Sequence, residues 1–342
     1  MSMAGWEREA SPFHEGELAI QEKLGVRDRI DRQGRRMIRD YLTCQHRQFF
    51  SQLPYVVVGG IDHSERIWTS MLTGQPGFLS TPDEKTLRVN GLLLPDDPLT
   101  QTIRVGADVG FLGIELSTRR RNRINGVVSR ILSGDIEGGF EVRVKQSFGN
   151  CPQYIQSREV ELEATRHLDL PTEAFSMTKP LDESVHAFET LSAEDCALIS
   201  GADTFFIATA YQSEKAGLAS GVDVSHRGGK PGFVRVDKGT DGKNNVITVP
   251  DFSGNNHFNT FGNILLNPRA GLLFLSFERG DFLYLSGWAE VIWEGPELAA
   301  YEGAERLLRF YVECGYRVSG RLRLRWSAPE FSPFLEGTGV WS

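Results

Sequence analysis

The pentapeptide Gly229-Lys230-Pro231-Gly232-Phe233 repeats an earlier one, Gly74-Gln75-Pro76-Gly77-Phe78. Further along, Val109–Val128 aligns with Ala270–Ala289 without a gap. Gly110, Leu112 and Gly126 match Gly271, Leu273 and Gly287, and apolar character is shared at Phe111/Leu272, Ile114/Leu275, Leu116/Phe277 and Ile124/Leu285. A shared turn, the same order of elements and an ungapped hairpin point to an internal duplication. The two halves are expected to pair face to face within one chain.

Working outward, residues 16–53 place Leu18, Leu24, Ile30, Met37, Ile38, Tyr41 and Leu42 at helical spacing among charges, which predicts an N-terminal helical segment. Tyr55–Gly60 reads as a strand, and the short β-branched runs from there to Val128, punctuated by Gly, Pro and Asp, read as an antiparallel sheet or barrel. Ser192-Ala193-Glu194-Asp195 is close to a capping box for a short helix, after which Phe205–Thr209 opens a second strand series. Residues 163–190, polar and bounded by Pro171 and Pro180, predict a linker with some helix. Pro296 predicts the start of a helix to about Val312. The alternation Arg321–Trp326 predicts an edge strand kept soluble by arginine.

A length of 342 residues suits two domains, and 40% hydrophobic with 24% charged residues is ordinary for a soluble globular protein. The net charge of -8 argues against generic binding to nucleic acid or anionic lipid. Met1–Ala10 lacks the basic-then-apolar pattern of a secretory signal, and no apolar run is long enough to span a bilayer, so a cytoplasmic setting is expected. Cys44, Cys151, Cys196 and Cys314 form no CxxC pair and the histidines no HExxH or HxH spacing, which predicts reduced thiols and no metal site. No GxSxG, P-loop or GxGxxG turn is present.

The chemistry concentrates in Pro250–Asn263, after the strand Val246–Val249. Ser253, Asn255, Asn256, Asn259 and Thr260 crowd around Gly254, offering neutral donors and helix N-terminal N–H groups to an anion such as phosphate. Helix capping and turn filling are the alternative use of such asparagines. Ser225-His226-Arg227-Gly228-Gly229 lies upstream on a neighbouring strand. His226 and His257 flank the loop and are candidate proton donors, with backbone-bonded loop histidines as the equal alternative. Cys151 reads as a packing thiol, and Arg119–Arg123 as a solvated hairpin tip or an anion contact.

The segments Gly221–Val236, Ile247–Asn255, Asn263–Pro268 and Leu285–Glu290 resemble the pyridoxamine 5′-phosphate oxidase-related FMN-binding proteins over residues 200–293. The resemblance implies that Arg227 meets the FMN phosphate, with Asp251, Ser253, Asn255, Asn256 and Asn259 in the binding loop. It also implies that Ser225 and Val234 lie beside the ring or ribityl chain. The oxidase's paired Arg-Lys is Asn259-Thr260 here, which argues against pyridoxamine phosphate oxidation. Ser147–Arg158 is similar to a Cys-Pro-x-Tyr-Ile-x-Arg-Ser signature that meets a partner subunit's flavin, which implies roles for Asn150 and Tyr154. Leu92–Pro98 lacks the asparagine cluster, so one FMN per chain is expected.

The expected fold is mainly β with flanking helices (α+β): two tandem FMN-binding split β-barrels forming an intrachain pseudo-dimer. The expected divisions are a helical segment at 1–53, barrel one at 54–162, a linker at 163–190, and barrel two with a C-terminal helix and strand at 191–342. The expected function is an FMN-dependent oxidoreductase passing hydride or electrons from NAD(P)H or a similar small-molecule donor to an acceptor. A non-catalytic flavin-binding or carrier protein is the alternative. The sequence leaves a homodimer open.

Overall fold

The computed structural model describes residues 5–91, 97–100, 102–132, 138–162, 185–238, 245–320, 322 and 324–341. Strands form where β-branched and aromatic residues alternate with Gly, Pro and Asp, and they dominate the regular structure. Three helices come first: α1 (Glu15–Lys23), α2 (Arg27–Met37) and α3 (Cys44–Gln52). Then follow β1 (Tyr55–Ile61), β2 (Ile67–Thr73), β3 (Leu79–Ser80), β4 (Thr86–Asn90), β5 (Asp108–Glu115), β6 (Arg120–Leu132) and β7 (Gly139–Gly149). They make one sheet in the order β2-β1-β5-β6-β7-β4-β3.

After β8 (Val160–Leu162), β9 (Val185–Phe188) and α4 (Ala193–Gly201) comes a second series. It comprises β10 (Thr204–Tyr211), β11 (Gly221–Gly228), β12 (Arg235–Lys238), β13 (Asn245–Phe252), α5 (Asn259–Leu266), β14 (Arg269–Leu275) and β15 (Phe282–Ile292), then α6 (Pro296–Ala300), β16 (Ala304–Val318) and β17 (Leu324–Trp326). Its sheet runs β11-β10-β14-β15-β16-β13-β12, with β9 also pairing β16 and β17 pairing β8. Counterpart for counterpart, this is the order of the first sheet. No described helix is long and apolar enough to cross a membrane.

The repetition extends to single bonds. Thr43 caps α3 through the N–H of His46, and Ser192 caps α4 through that of Asp195. Gly77 and Gly232 both take positive φ, 100° and 91°, and both donate to the end of the preceding helix, Ser51 and Ser200, at 2.8 Å. Each sheet carries an irregularity at the same place, between Asn125 and Gly126 and between Ser286 and Gly287.

The halves meet through small residues. A Cβ on Gly110 would fall 2.6 Å from the carbonyl of Val222 on β11, and one on Gly271 would fall 2.4 Å from the carbonyl of Ile67 on β2. Between them, a Cβ on Gly59 would lie 2.7 Å from that of Ala208, its counterpart in the other half. One buried cluster accordingly mixes the halves, with Val57, Phe111 and Leu112 packed with Phe206, Val224 and Leu273.

Four sequence expectations change. The helical stretch 16–53 is three helices with breaks, one at Gly25 in positive φ. The helix expected from Pro296 to Val312 stops at Ala300, and β16 begins four residues later. Pairing with β13 on one side and β15 on the other outweighs the local helical signal there. Of the expected linker, 163–184 lie outside the described residues, whereas Val185–Phe188 form a strand. Of the Arg321–Trp326 strand, only Leu324–Trp326 pairs, with β8, and Arg321 and Arg323 lie outside the described residues.

Gly271→Ala should cost about 2 kcal/mol or more, because backbone must move to admit the methyl group. Gly201→Ala, where nothing lies within 4 Å, should change stability by about 0.5 kcal/mol at most. Equal urea midpoints for the two variants would show that the close approach is not a constraint.

Candidate functional site

β11 alternates its side chains, so Asp223, Ser225 and Arg227 share a face. β13 delivers Asp251 opposite them, and the loop after it turns into α5 through two left-handed residues, Asn256 (φ 59°) and Phe258 (φ 62°). A bulky residue in that region is a real outlier and marks a backbone held by its surroundings. Phe258 supplies no side-chain cap. The first helical bond runs from the N–H of Gly262 to the carbonyl of Phe258, which leaves the N–H groups of Asn259, Thr260 and Phe261 without an intrahelical acceptor.

These pieces line one cleft of about 120 Å³. Into it the structure brings Ser225, His226, Arg227, Asp251, Ser253, Asn255, Asn256 and Asn259 from the second half with Asn150, Cys151 and Tyr154 from the first. Gly228 permits the meeting, since a Cβ there would fall 2.0 Å from the carbonyl of Tyr154. The first half also contributes Arg121 and Arg123, from the hairpin whose arginines the sequence left between solvent and anion, and β16 contributes Arg306. Four guanidinium groups therefore line the cleft against one carboxylate, Asp251, in a chain of net charge -8.

Three of the arginines have acidic partners. Arg227 pairs with one oxygen of Asp251 and stacks over Phe261 at 4.8 Å, while Arg306 approaches the other oxygen at 3.6 Å. Arg123 is held most completely, donating to Asp223 at 2.8 Å, to Ser225 Oγ at 2.6 Å and to Asn259 Oδ1 at 3.0 Å. Burial raises the Asp223 carboxyl and lowers the Arg123 guanidinium, with their mutual attraction opposing both shifts. Arg121 differs. Its described partners are two carbonyls, those of Cys151 at 2.8 Å and His226 at 3.4 Å. Burial, with Arg123 and Arg227 nearby, lowers its pKa to about 9, which leaves it charged at neutral pH.

Some expected roles move. Asn259 lines the cleft, but its amide is committed at both ends, accepting from Arg123 and donating to Glu17. Asn255 accepts from the backbone N–H of His257 at 3.1 Å, and Asn150 Oδ1 is buried without a partner among the described residues. Val234, 1% exposed, packs in the second half's core and is not a wall of the cleft, whereas its neighbour Phe233 is. The His257 ring lies outside the cleft, edge-on to Phe13 at 5.3 Å, and burial lowers its pKa to about 4. The His226 ring sits against Phe206, its pKa pushed well below the usual value first by burial and then by Arg121. Both histidines are neutral at neutral pH, so neither is a ready proton donor.

Sequence reasoning missed Arg306, Glu17 and His14. α1 crosses α5 where a Cβ on Gly16 would fall 2.2 Å from the carbonyl of Gly262. That crossing puts Glu17 against Asn259 and His14 Nε2 2.9 Å from Asn263 Oδ1. Burial raises the Glu17 pKa to about 8.

The first half holds a counterpart of this face, in which Trp68, Ser70 and Leu72 of β2 stand where β11 has Asp223, Ser225 and Arg227. Ser70 bonds to Asp97, which also accepts from the N–H of Leu99 at 2.8 Å and from Tyr284 at 3.4 Å. Tyr284 is the positional counterpart of Arg123. Asp97, 5% exposed, thus occupies the space inside, and burial raises its pKa to about 6.

No protein-family model matches the chain. No curated protein matches it. Among solved structures it is similar to a protein of Lactobacillus delbrueckii provisionally named a pyridoxamine 5′-phosphate oxidase, at 11% identity and TM-score 0.25 over 32% of this chain and 94% of that one. It is also similar to an FMN-binding protein of Syntrophomonas wolfei, at 9% identity and TM-score 0.25 over 38% and 93% of the two chains. A FAD-binding protein of Mesorhizobium loti aligns at 13% identity and TM-score 0.24 over 39% and 96%. Likenesses this slight carry no weight for the site.

Two pH effects follow from the buried groups. His14, His46 and His257, each lowered to about 4, exclude protons that the unfolded chain binds below about 6.5, so stability should fall as pH drops from 6.5 to 4. Glu17 acts in the other direction: its folded pKa of about 8 lies above the ordinary 4.5, so its contribution is lost as pH rises between those values. Urea titrations should show Glu17→Gln gaining on the parent chain from pH 4.5 to 8, then holding a constant advantage. A pH-independent difference would refute the buried neutral acid.

Proposed function

We propose that this chain is a flavin-binding protein built from two split β-barrels in tandem, paired as an intrachain pseudo-dimer, and that it holds one FMN per chain in the cleft of the second half. The carrying observation is Arg121, a charged guanidinium without a described carboxylate partner, in the same cleft as the uncapped start of α5. Guanidinium and helix N–H groups together suit a phosphate. Arg121, Arg227 and the α5 N-terminus would hold the phosphate, with Ser253, Asn255 and Asn256 as further donors. Arg227 reaches it by sharing or leaving Asp251.

Tyr154, Phe252 and Phe233 supply apolar walls for a flat ring, Tyr154 and Phe252 lying 5.0 Å apart. About 120 Å³ is below the usual range for a whole ligand, so the phosphate end is enclosed and the rest extends through the open side. Asp97 filling the counterpart space supports one site over two.

A bound flavin supplies hydride and one-electron chemistry, while the protein supplies position and electrostatics. An oxidoreductase taking reducing equivalents from a reduced nicotinamide is the leading reading. The neutral, buried His226 and His257 favour a second, a flavin-binding or carrier protein without its own acid–base group.

Denaturing the purified protein and weighing what it releases tests the cofactor directly, with FMN at one per chain expected. Arg121→Ala should weaken FMN about 10- to 100-fold and leave riboflavin, which lacks the phosphate, unchanged. Equal losses for both ligands would remove Arg121 from the phosphate.

A further inference from the structure

The cleft continues. Arg121, Asn150, Cys151 and Asn255 are shared with a shallow adjoining groove of about 560 Å³, whose floor includes Met37 and Pro152. Gln33 and Met37 in turn join it to a face of α2 carrying Arg29, Arg32 and Arg36. These three recur one helical face apart, at i, i+3 and i+7. All three are exposed and have no ion pair among the described residues, whereas Arg27 and Arg35, elsewhere on the helix, both pair with Asp31.

We propose that this strip binds the phosphorylated nucleotide portion of a ligand whose other end lies in the cleft. An apolar floor suits a base, and the guanidinium groups beyond it suit phosphate rather than a neutral sugar. Two ligands share that chemistry: a reduced nicotinamide dinucleotide phosphate meeting the flavin, or an adenine extension on the flavin itself. The inference rests on the reading of the cleft as a flavin site, but the strip can be tested without it.

Equilibrium binding of NADPH, NADH, FAD, FMN and adenosine 2′,5′-bisphosphate is measured for the full chain and for Arg29→Ala/Arg32→Ala/Arg36→Ala at two salt concentrations. The substituted positions are exposed, and matching thermal midpoints verify that the variant folds. The expected result is at least a tenfold loss for NADPH and for the bisphosphate, with FMN unchanged and a weaker salt dependence. A loss for FAD with NADPH unchanged assigns the strip to the flavin's own extension and also supports it. Unchanged affinity for NADPH, FAD and the bisphosphate overturns the proposal. If the bisphosphate binds in an arginine-dependent way while no flavin binds, the strip stands and the flavin reading falls.

Discussion

The geometry of the arginine-lined cleft depends on how closely the two sheets approach at Gly110 and Gly271. Each glycine lets the backbone of one half touch a carbonyl of the other, Val222 and Ile67 respectively, and Gly59 meets Ala208 between them. A methyl group at either contact would force the halves apart by a few tenths of an ångström or more. The consequence reaches the cleft because Arg123, on β6 beside Gly110's strand, extends across to Asp223 and Ser225 of β11. The spacing of the sheets therefore sets the geometry of a buried ion pair, and that pair fixes one wall of the site.

The Arg123–Asp223 pair is costly to bury, and desolvation opposes the charge of both members. Further hydrogen bonds surround it, although Arg123 Nε has no partner among the described residues: Ser225 is bonded to Thr260 at 2.7 Å as well as to Arg123, and Asn259 links Arg123 to Glu17. The network joins β6, β11, α5 and α1, so it selects the position of α5 as much as it stabilises it. The helix N-terminus faces the cleft because Asn259 is held from both sides. What reads in the sequence as a ligand donor is here a positioning residue.

Legibility followed how locally each feature is encoded. The paired turns were readable because Gly77 and Gly232 need positive φ and Phe78 and Phe233 pack on the preceding glycines, so the same residues must recur. The loop from Asp251 to Asn256 was readable because its polar side chains, Asp251, Ser253, Asn255 and Asn256, crowd together in the sequence, and all four line the cleft. Arg306 was not, because it lies in a segment whose local signal is helical and whose strand character comes from neighbours far along the chain. Glu17 lies 242 residues from Asn259, and no spacing rule connects them. Val234 and His257 were misplaced for a related reason: proximity in sequence to a binding loop does not say which way a side chain turns, and both turn into the core.

The two halves share strand order, turn and irregularity, yet among the described residues the arginine-lined cleft belongs to the second. The difference lies in a few side chains at equivalent places. Where β11 offers Asp223 to a charged partner from the other half and Arg227 to Asp251 of its own, β2 offers Trp68 and Leu72, and the side chain reaching over is Tyr284 instead of Arg123. With no arginine at hand, the polar remnant Ser70 is satisfied from within the chain by Asp97, whose raised pKa shows how poorly that place suits a full negative charge. Two halves of the same strand order can each keep such a cleft only if each keeps its cations. Once one copy loses them, filling the space with the chain's own carboxyl removes an unsatisfied hydroxyl and an empty volume together. The intact copy is then free to retain a surplus of positive charge that the fold itself does not need.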